Sequence, residues 1–225
     1  MARVIGGIGA SHAPSMEHIY DAGEEVRESD EWQPLFGPFK DVAAWLDELK
    51  PDRLVVIYND HMDEFFLNAY PTFALGVADT YPVADEGFGS RPFPPVPGDS
   101  KLGWHIARSL VADEFDITIC QELEVDHGVI SPLPMVDFSE GDSGWKIPIV
   151  PLAVNVILHP LPSPLRCWKL GQRCAGRSSR TKRTSASSSS APAASRTSSP
   201  VRSSGASKRS GTRSSCDCWR KSRSR

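Results

Sequence analysis

Beyond Leu170 the chain loses nearly every residue type from which a core is built. Residues 171–225 hold 18 serines and 14 Lys+Arg against one acid, Asp217, a net of +13. Val201 and Trp219 are the only large apolar side chains there. Such a stretch cannot bury enough surface to offset the entropy lost on ordering, so disorder is expected. Any fold must therefore be built from residues 1–172, with 173–225 as a basic Ser/Arg-rich tail. The first 170 residues carry 11 Lys+Arg and 27 Asp+Glu, a net of −16, which the whole-chain charge of −3 conceals. A stretch of that length suits one domain.

Within it, apolar runs alternate with helical spacings. "ARVIGGIGA" (2–10) is short, β-branched and glycine-rich, and reads as a buried strand. "RLVVIYND" (53–60) is a strong strand candidate and "TFALGVAD" (72–79) a weaker one. "FDITICQEL" (115–123) and "KIPIVPLAVNVI" (146–157) supply the others. Between them, Pro14-Ser15-Met16 opens a helix with Ser15 as N-cap. A second helix follows Pro38, with Phe39, Val42, Leu46 and Leu49 at helical spacing and Pro51 as its stop. Asp99 caps a third, carrying Leu102, Ile106 and Leu110 on one face. Continuous apolar strands alternating with helices predict an α/β domain: a largely parallel sheet flanked by helices. The segment 80–99 is a long Pro/Gly-rich loop, a length often kept for function.

Three of the six histidines follow strand-like runs: His12 in "GASHAP", His61 in "YNDHMD" and His127 in "EVDHGV". Ligand crevices of open α/β sheets lie at the carboxyl ends of strands, so these imidazoles could converge on one pocket. Neutral imidazole binds iron, zinc and similar metals, and a spare one moves protons near pH 7. Taken singly, a loop histidine is more often a solvated or capping side chain than a ligand. His18 and His105 fall within helices and His159 precedes Pro160, which assigns those three to structure or surface. "GGIGASH" is no dinucleotide loop, because His12 stands where the third glycine is required.

Five cysteines without a C-x-x-C pair support neither a disulfide framework nor a zinc finger. The opening residues lack the pattern of a signal peptide, and no run reaches the length of a membrane span. A cytoplasmic location is expected.

The long segments "MARVIGGIGASHAP", "VVIYNDHMDEFFLNAYPTFALGVADTYPVADEGFGSRPFPPVPGD", "WHIARSLVADEFDITICQELEVDHGVISPL" and "IPIVPLAVNVILHPLPSPLRCWKLG" resemble the class III extradiol ring-cleavage dioxygenases. The likeness is to the catalytic beta subunits that open protocatechuate, with gallate dioxygenases as near relatives. It runs from Met1 to about Gln172 and includes S-H-x-P, Y-N-D-H and D-H-G in order. It implies an Fe(II) enzyme that cleaves a catecholic aromatic acid with O2, in aromatic catabolism. By resemblance, His12 and His61 are the iron-binding histidines, and His127 is the pocket histidine that orients the catechol hydroxyls. The family's third ligand is a glutamate, and a small alpha subunit covers the site, implying a hetero-oligomer.

The glutamate ligand and a second catalytic histidine of that family come from the region beyond the resemblance. Residues 172–225 contain no glutamate and no histidine, and Asp217 lies in a context that cannot fix it. The C-terminal part of the domain is thus expected to be missing and the activity impaired. The tail's Arg, Ser, Ala, Pro, Gly, Thr and Cys vocabulary fits a GC-rich gene read out of frame from near residue 172. The alternative is a non-catalytic, degenerate dioxygenase domain whose basic tail binds nucleic acid. One stacking aromatic, no RS or RGG repeat and an acidic body make that alternative the weaker.

Overall fold

A computed structural model of the protein describes residues 3–87, 89, 91–136 and 144–175. Residues 173–175, expected to open the disordered tail, instead end a helix that begins at Pro164; the expectations for the rest of the tail, and for Asp217, lie outside the described residues. The sheet is formed by β1 (Leu54–Tyr58), β2 (Phe73–Gly76), β5 (Thr118–Cys120) and β6 (Ile149–Val154), each inside a run picked out by its sequence. Their order is β1-β6-β2-β5. The β1–β6 and β2–β5 pairs are parallel and the central β2–β6 pair is antiparallel. The sheet is therefore mostly parallel, with helices on its faces, as the sequence predicts.

β6 is buried on both faces, which is why "IVPLAV" reads as one continuous apolar run. One face packs Tyr58, Ala74, Ile149 and Ala153 against Val125, Val129 and Ile130 of the segment that includes α5 (His127–Ile130). The other packs Phe73, Leu75, Val150 and Leu152 against Ala107 and Leu110 of α4 (Ser100–Ala112) and Leu170 of α7 (Pro164–Ala175). The Asp99 carboxylate caps α4 by accepting from the Leu102 N–H, as expected. A third cluster joins Met16 of α1 (Pro14–Asp21), Phe36 of α3 (Gln33–Leu49) and Met135 of α6 (Pro132–Val136). A four-residue α2 (Glu24–Arg27) completes the helices of the first 50 residues.

Three local expectations are corrected. The strand expected over 2–10 does not form: residues 3–10 are coil, with Val4, Ile5 and Ile8 exposed. Glycines at 6, 7 and 9 give this segment little side chain to pack and a high ordering cost, and no described strand offers it a ladder. It lies instead on α3, with Gly6 so close to Trp45 that a Cβ would meet the indole at 2.5 Å. Helix α1 begins at Pro14 with Ala13 as N-cap, so Ser15 is inside it; proline's fixed φ suits the first helical position. Helix α3 starts at Gln33, and Pro38 sits within it rather than before it. The loss there is one hydrogen bond near the helix start, which the apolar face of a 17-residue helix outweighs. Lys50, left-handed at φ 46°, then ends α3 before Pro51.

The 80–99 loop is more ordered than its composition suggests. It holds a small antiparallel ladder of β3 (Thr80–Tyr81) and β4 (Val96–Pro97), built around the buried Tyr81 ring.

Candidate metal centre

The site begins at the carboxyl end of β1, where the chain turns sharply. The Asp60 carboxylate accepts from the N–H groups of Met62, Glu64 and Phe65 at 2.9, 3.1 and 3.2 Å. Met62 takes a left-handed φ of 72° in that turn, the kind of local strain that collects at functional sites. The turn aims His61 back over the strand end.

There His61 meets α5. Asp126 is buried and caps α5, its Oδ1 accepting from Gly128 N–H at 2.9 Å. Its Oδ2 lies 2.8 Å from both the backbone nitrogen and Nδ1 of His61. His127, the first residue of α5, stacks on His61 with ring centres 3.8 Å apart and planes at 28°. Gly128 makes this approach possible, because no side chain stands between α5 and the end of β1.

The long loop reaches the same place. A parallel bridge between Val83 and Val125, with Ala84 N–H to Val125 O at 3.0 Å and Val125 N–H to Pro82 O at 2.9 Å, anchors it just before Asp126. Asp85 then accepts from Gly87 and Gly89, both left-handed, and this turn swings Glu86 onto His127. Glu86 Oε1 accepts from His127 N–H at 2.6 Å, and Oε2 hydrogen-bonds its Nδ1.

His12 enters from the coil before α1, its ring centre 5.2 Å from His61 and 6.1 Å from His127. Arg91 holds that side in place. It bonds Glu17 and Asp21 of α1 and the Ile130 carbonyl of α5, while Ser131 donates to Glu17 at 2.7 Å. Burial, then the neighbouring His61 and His127, lowers the pKa of His12 below the usual histidine value.

The three histidines singled out by the sequence therefore come together, from segments far apart in the chain, although only coil precedes His12, while His18, His105 and His159 take no part in these contacts. Ligand atoms of His61, Asp126 and His127 lie within 4.8 Å of one another, a group able to hold a metal ion; His12 is outside that tightest group. Imidazole nitrogens with a carboxylate suit ferrous iron or a similar divalent ion. Sequence reading missed Asp126, Glu86 and Asn59. An Asp directly before a helical His-Gly was the available signal for the first, since Asp is a favoured N-cap.

Comparison with known proteins shows the family. The family described as the catalytic LigB subunit of aromatic ring-opening dioxygenase matches residues 6–176. The chain belongs to that family of extradiol-type ring-cleaving dioxygenases. It is similar to a gallate dioxygenase of Pseudomonas putida, 44% identical over 90 residues, 40% of this chain and 26% of that protein. A 2,3-dihydroxyphenylpropionate/2,3-dihydroxicinnamic acid 1,2-dioxygenase of Mycolicibacterium vanbaalenii is 34% identical over 161 residues, 72% of this chain and 46% of that one. The Rhodococcus globerulus protein of the same name is 28% identical over 166 residues, with 72% and 47% covered. The matches thus span between about a quarter and a half of these relatives' length. No helix among the described residues is long and apolar enough to cross a membrane.

Proposed function

We propose that this chain is built for Fe(II)-dependent extradiol cleavage of protocatechuate or a related catecholic acid by O2, in the cytoplasm. The observation that carries the reading is the convergence of His12, His61 and His127 at the end of β1. In it, His12 and His61 hold the metal. Ferrous iron, when bound, supplies the positions at which catechol and O2 meet. His127 faces the substrate and takes a proton from a catechol hydroxyl at Nε2, since Glu86 occupies its Nδ1. The buried Asp126 carboxylate, bonded to His61, would lessen the cost of a positively charged centre in a partly buried pocket.

The rim supports the remainder of the proposal. Met62, Phe66, Leu67 and Tyr70 follow His61 directly and are exposed, a surface suited to a small alpha subunit lying over the site. The family match ends at residue 176, beside the break in composition near 172, which supports the out-of-frame origin of the tail and an impaired activity.

Two linked experiments test this. Resequencing the gene across the codons for Leu170–Cys174 should reveal a one- or two-base slip. The restored-frame protein, loaded with Fe(II), should consume O2 with protocatechuate, gallate or 2,3-dihydroxyphenylpropionate, and the chain as given far less. No uptake by the restored, iron-loaded protein with any of the three would overturn the function.

A further inference from the structure

Two carboxylates grip two of the site histidines in the same way. Asp126 accepts both the backbone N–H and Nδ1 of His61, at 2.8 Å each. Glu86 accepts the backbone N–H of His127 at 2.6 Å and hydrogen-bonds its Nδ1. Asp126 entered above as a member of the group able to hold a metal ion and Glu86 only through its bonds to His127, and the two come from different segments. We propose that Asp126 and Glu86 are matched positioning residues that fix His61 and His127 as Nδ1–H tautomers and so present both Nε2 atoms to the site. The inference rests on the proposed function for what Nε2 then does, but its structural content stands without it.

The proton assignment follows from the partners. An ionised carboxylate only accepts hydrogen bonds, so each Nδ1 must carry the proton. Asn59 reports the same for His61 from the opposite side. Its amide nitrogen, which only donates, lies 2.9 Å from His61 Nε2, so Nε2 is the acceptor. That Nε2 lone pair is the one a metal would take. Gripping the main chain and ring of one residue with one carboxylate also removes the freedom of both side-chain torsions. A carboxylate on the distal nitrogen of a metal-binding histidine sets its orientation and raises its basicity.

The two grips should break differently. Gln at position 86 has one acceptor and one donor where the carboxylate has two acceptors. With its oxygen on the His127 N–H, its amide faces Nδ1 and favours the Nε2–H form. Asn at position 126 leaves a donor against the N–H of Gly128 or of His61 and loosens that ring.

The test is a long-range 1H–15N correlation spectrum of the full chain at pH 8, with Co(II) binding measured on the same samples. The unsubstituted chain should show His61 and His127 as Nδ1–H. Glu86→Gln should shift His127 alone toward Nε2–H and leave Co(II) affinity within about threefold. Asp126→Asn should release His61 and weaken Co(II) at least about tenfold. Both histidines as Nε2–H in the unsubstituted chain, or Glu86→Gln leaving His127 unchanged, would overturn the proposal. The Glu86 side chain is 23% exposed and Gln matches it in size, so this outcome decides even where Asn at buried position 126 prevents folding. If Glu86→Gln flips His127 and also abolishes Co(II) binding, the grip stands. What fails then is the placing of His127 on the substrate side rather than on the metal.

Discussion

Gly128 lies so close to Asn59 that a Cβ on it would stand 2.8 Å from the Asn59 carbonyl oxygen, with Asp126 Oδ1 at 2.9 Å and Tyr58 Cδ2 at 3.2 Å. The glycine of "DHG" thus sets how near α5 comes to the end of β1. Two of the three atoms belong to the backbone or to a capping carboxylate, so neither can swing away cheaply. Gly128→Ala is expected to destabilise the chain by roughly 1–3 kcal/mol, as overpacking does, and to part the His61–His127 stack. Urea unfolding checks the first, and an unchanged midpoint would count against this packing.

Tyr58 carries a different kind of cost. Its ring belongs to the core, yet its hydroxyl has no hydrogen-bond partner among the described residues, and burial with nearby Asp126 and Asp60 drives its pKa far above the usual tyrosine value. Removing a buried hydroxyl that gains nothing should help. Tyr58→Phe is expected to raise stability by roughly 1 kcal/mol, read as a higher urea midpoint with unchanged slope. A loss of more than that would show that the hydroxyl has a partner.

The acidic rim sets a pH dependence. Partial loss of solvation, though Asp63 keeps an exposed face, and then the carboxylates of Glu86, Asp126 and Asp60 push its pKa up to about 6. Unfolded, an Asp titrates near ~3.9. Across that interval the folded chain binds a proton that the unfolded chain has released, so Asp63 makes stability fall as pH rises, with the full penalty above the folded pKa. Asp63→Asn should therefore gain stability over the parent at pH 7 relative to pH 4. Equal differences at the two pH values would show that Asp63 titrates normally.

How much of this was legible depends on what kind of signal each residue leaves. His12, His61 and His127 were readable because strand-like runs end just before or a few residues upstream of them, and α/β sheets place ligands at such ends. β1, β2, β5 and β6 were readable as apolar runs. The region 2–10 was not, because a β-branched, glycine-containing segment becomes a strand only when a neighbour offers a ladder, and α3 takes it instead. Pro38 misled for a related reason: proline marks a helix start locally, while the burial of Phe36, Ala43 and Leu46 sets the true extent of α3. Glu86 could not have been found. Its place depends on the Val83–Val125 bridge and two left-handed glycines, and neither has a periodicity that links residue 86 to residue 127.

If His12 and His61 together hold a divalent ion, an anaerobic titration of the full chain with Co(II) will read it. The parent should bind one ion per chain, and His12→Ala and His61→Ala should each weaken binding at least about tenfold, while His105→Ala leaves it unchanged. A parent that binds no ion, or an alanine at position 12 or 61 that leaves affinity intact, would rule out this histidine pair as the ligands.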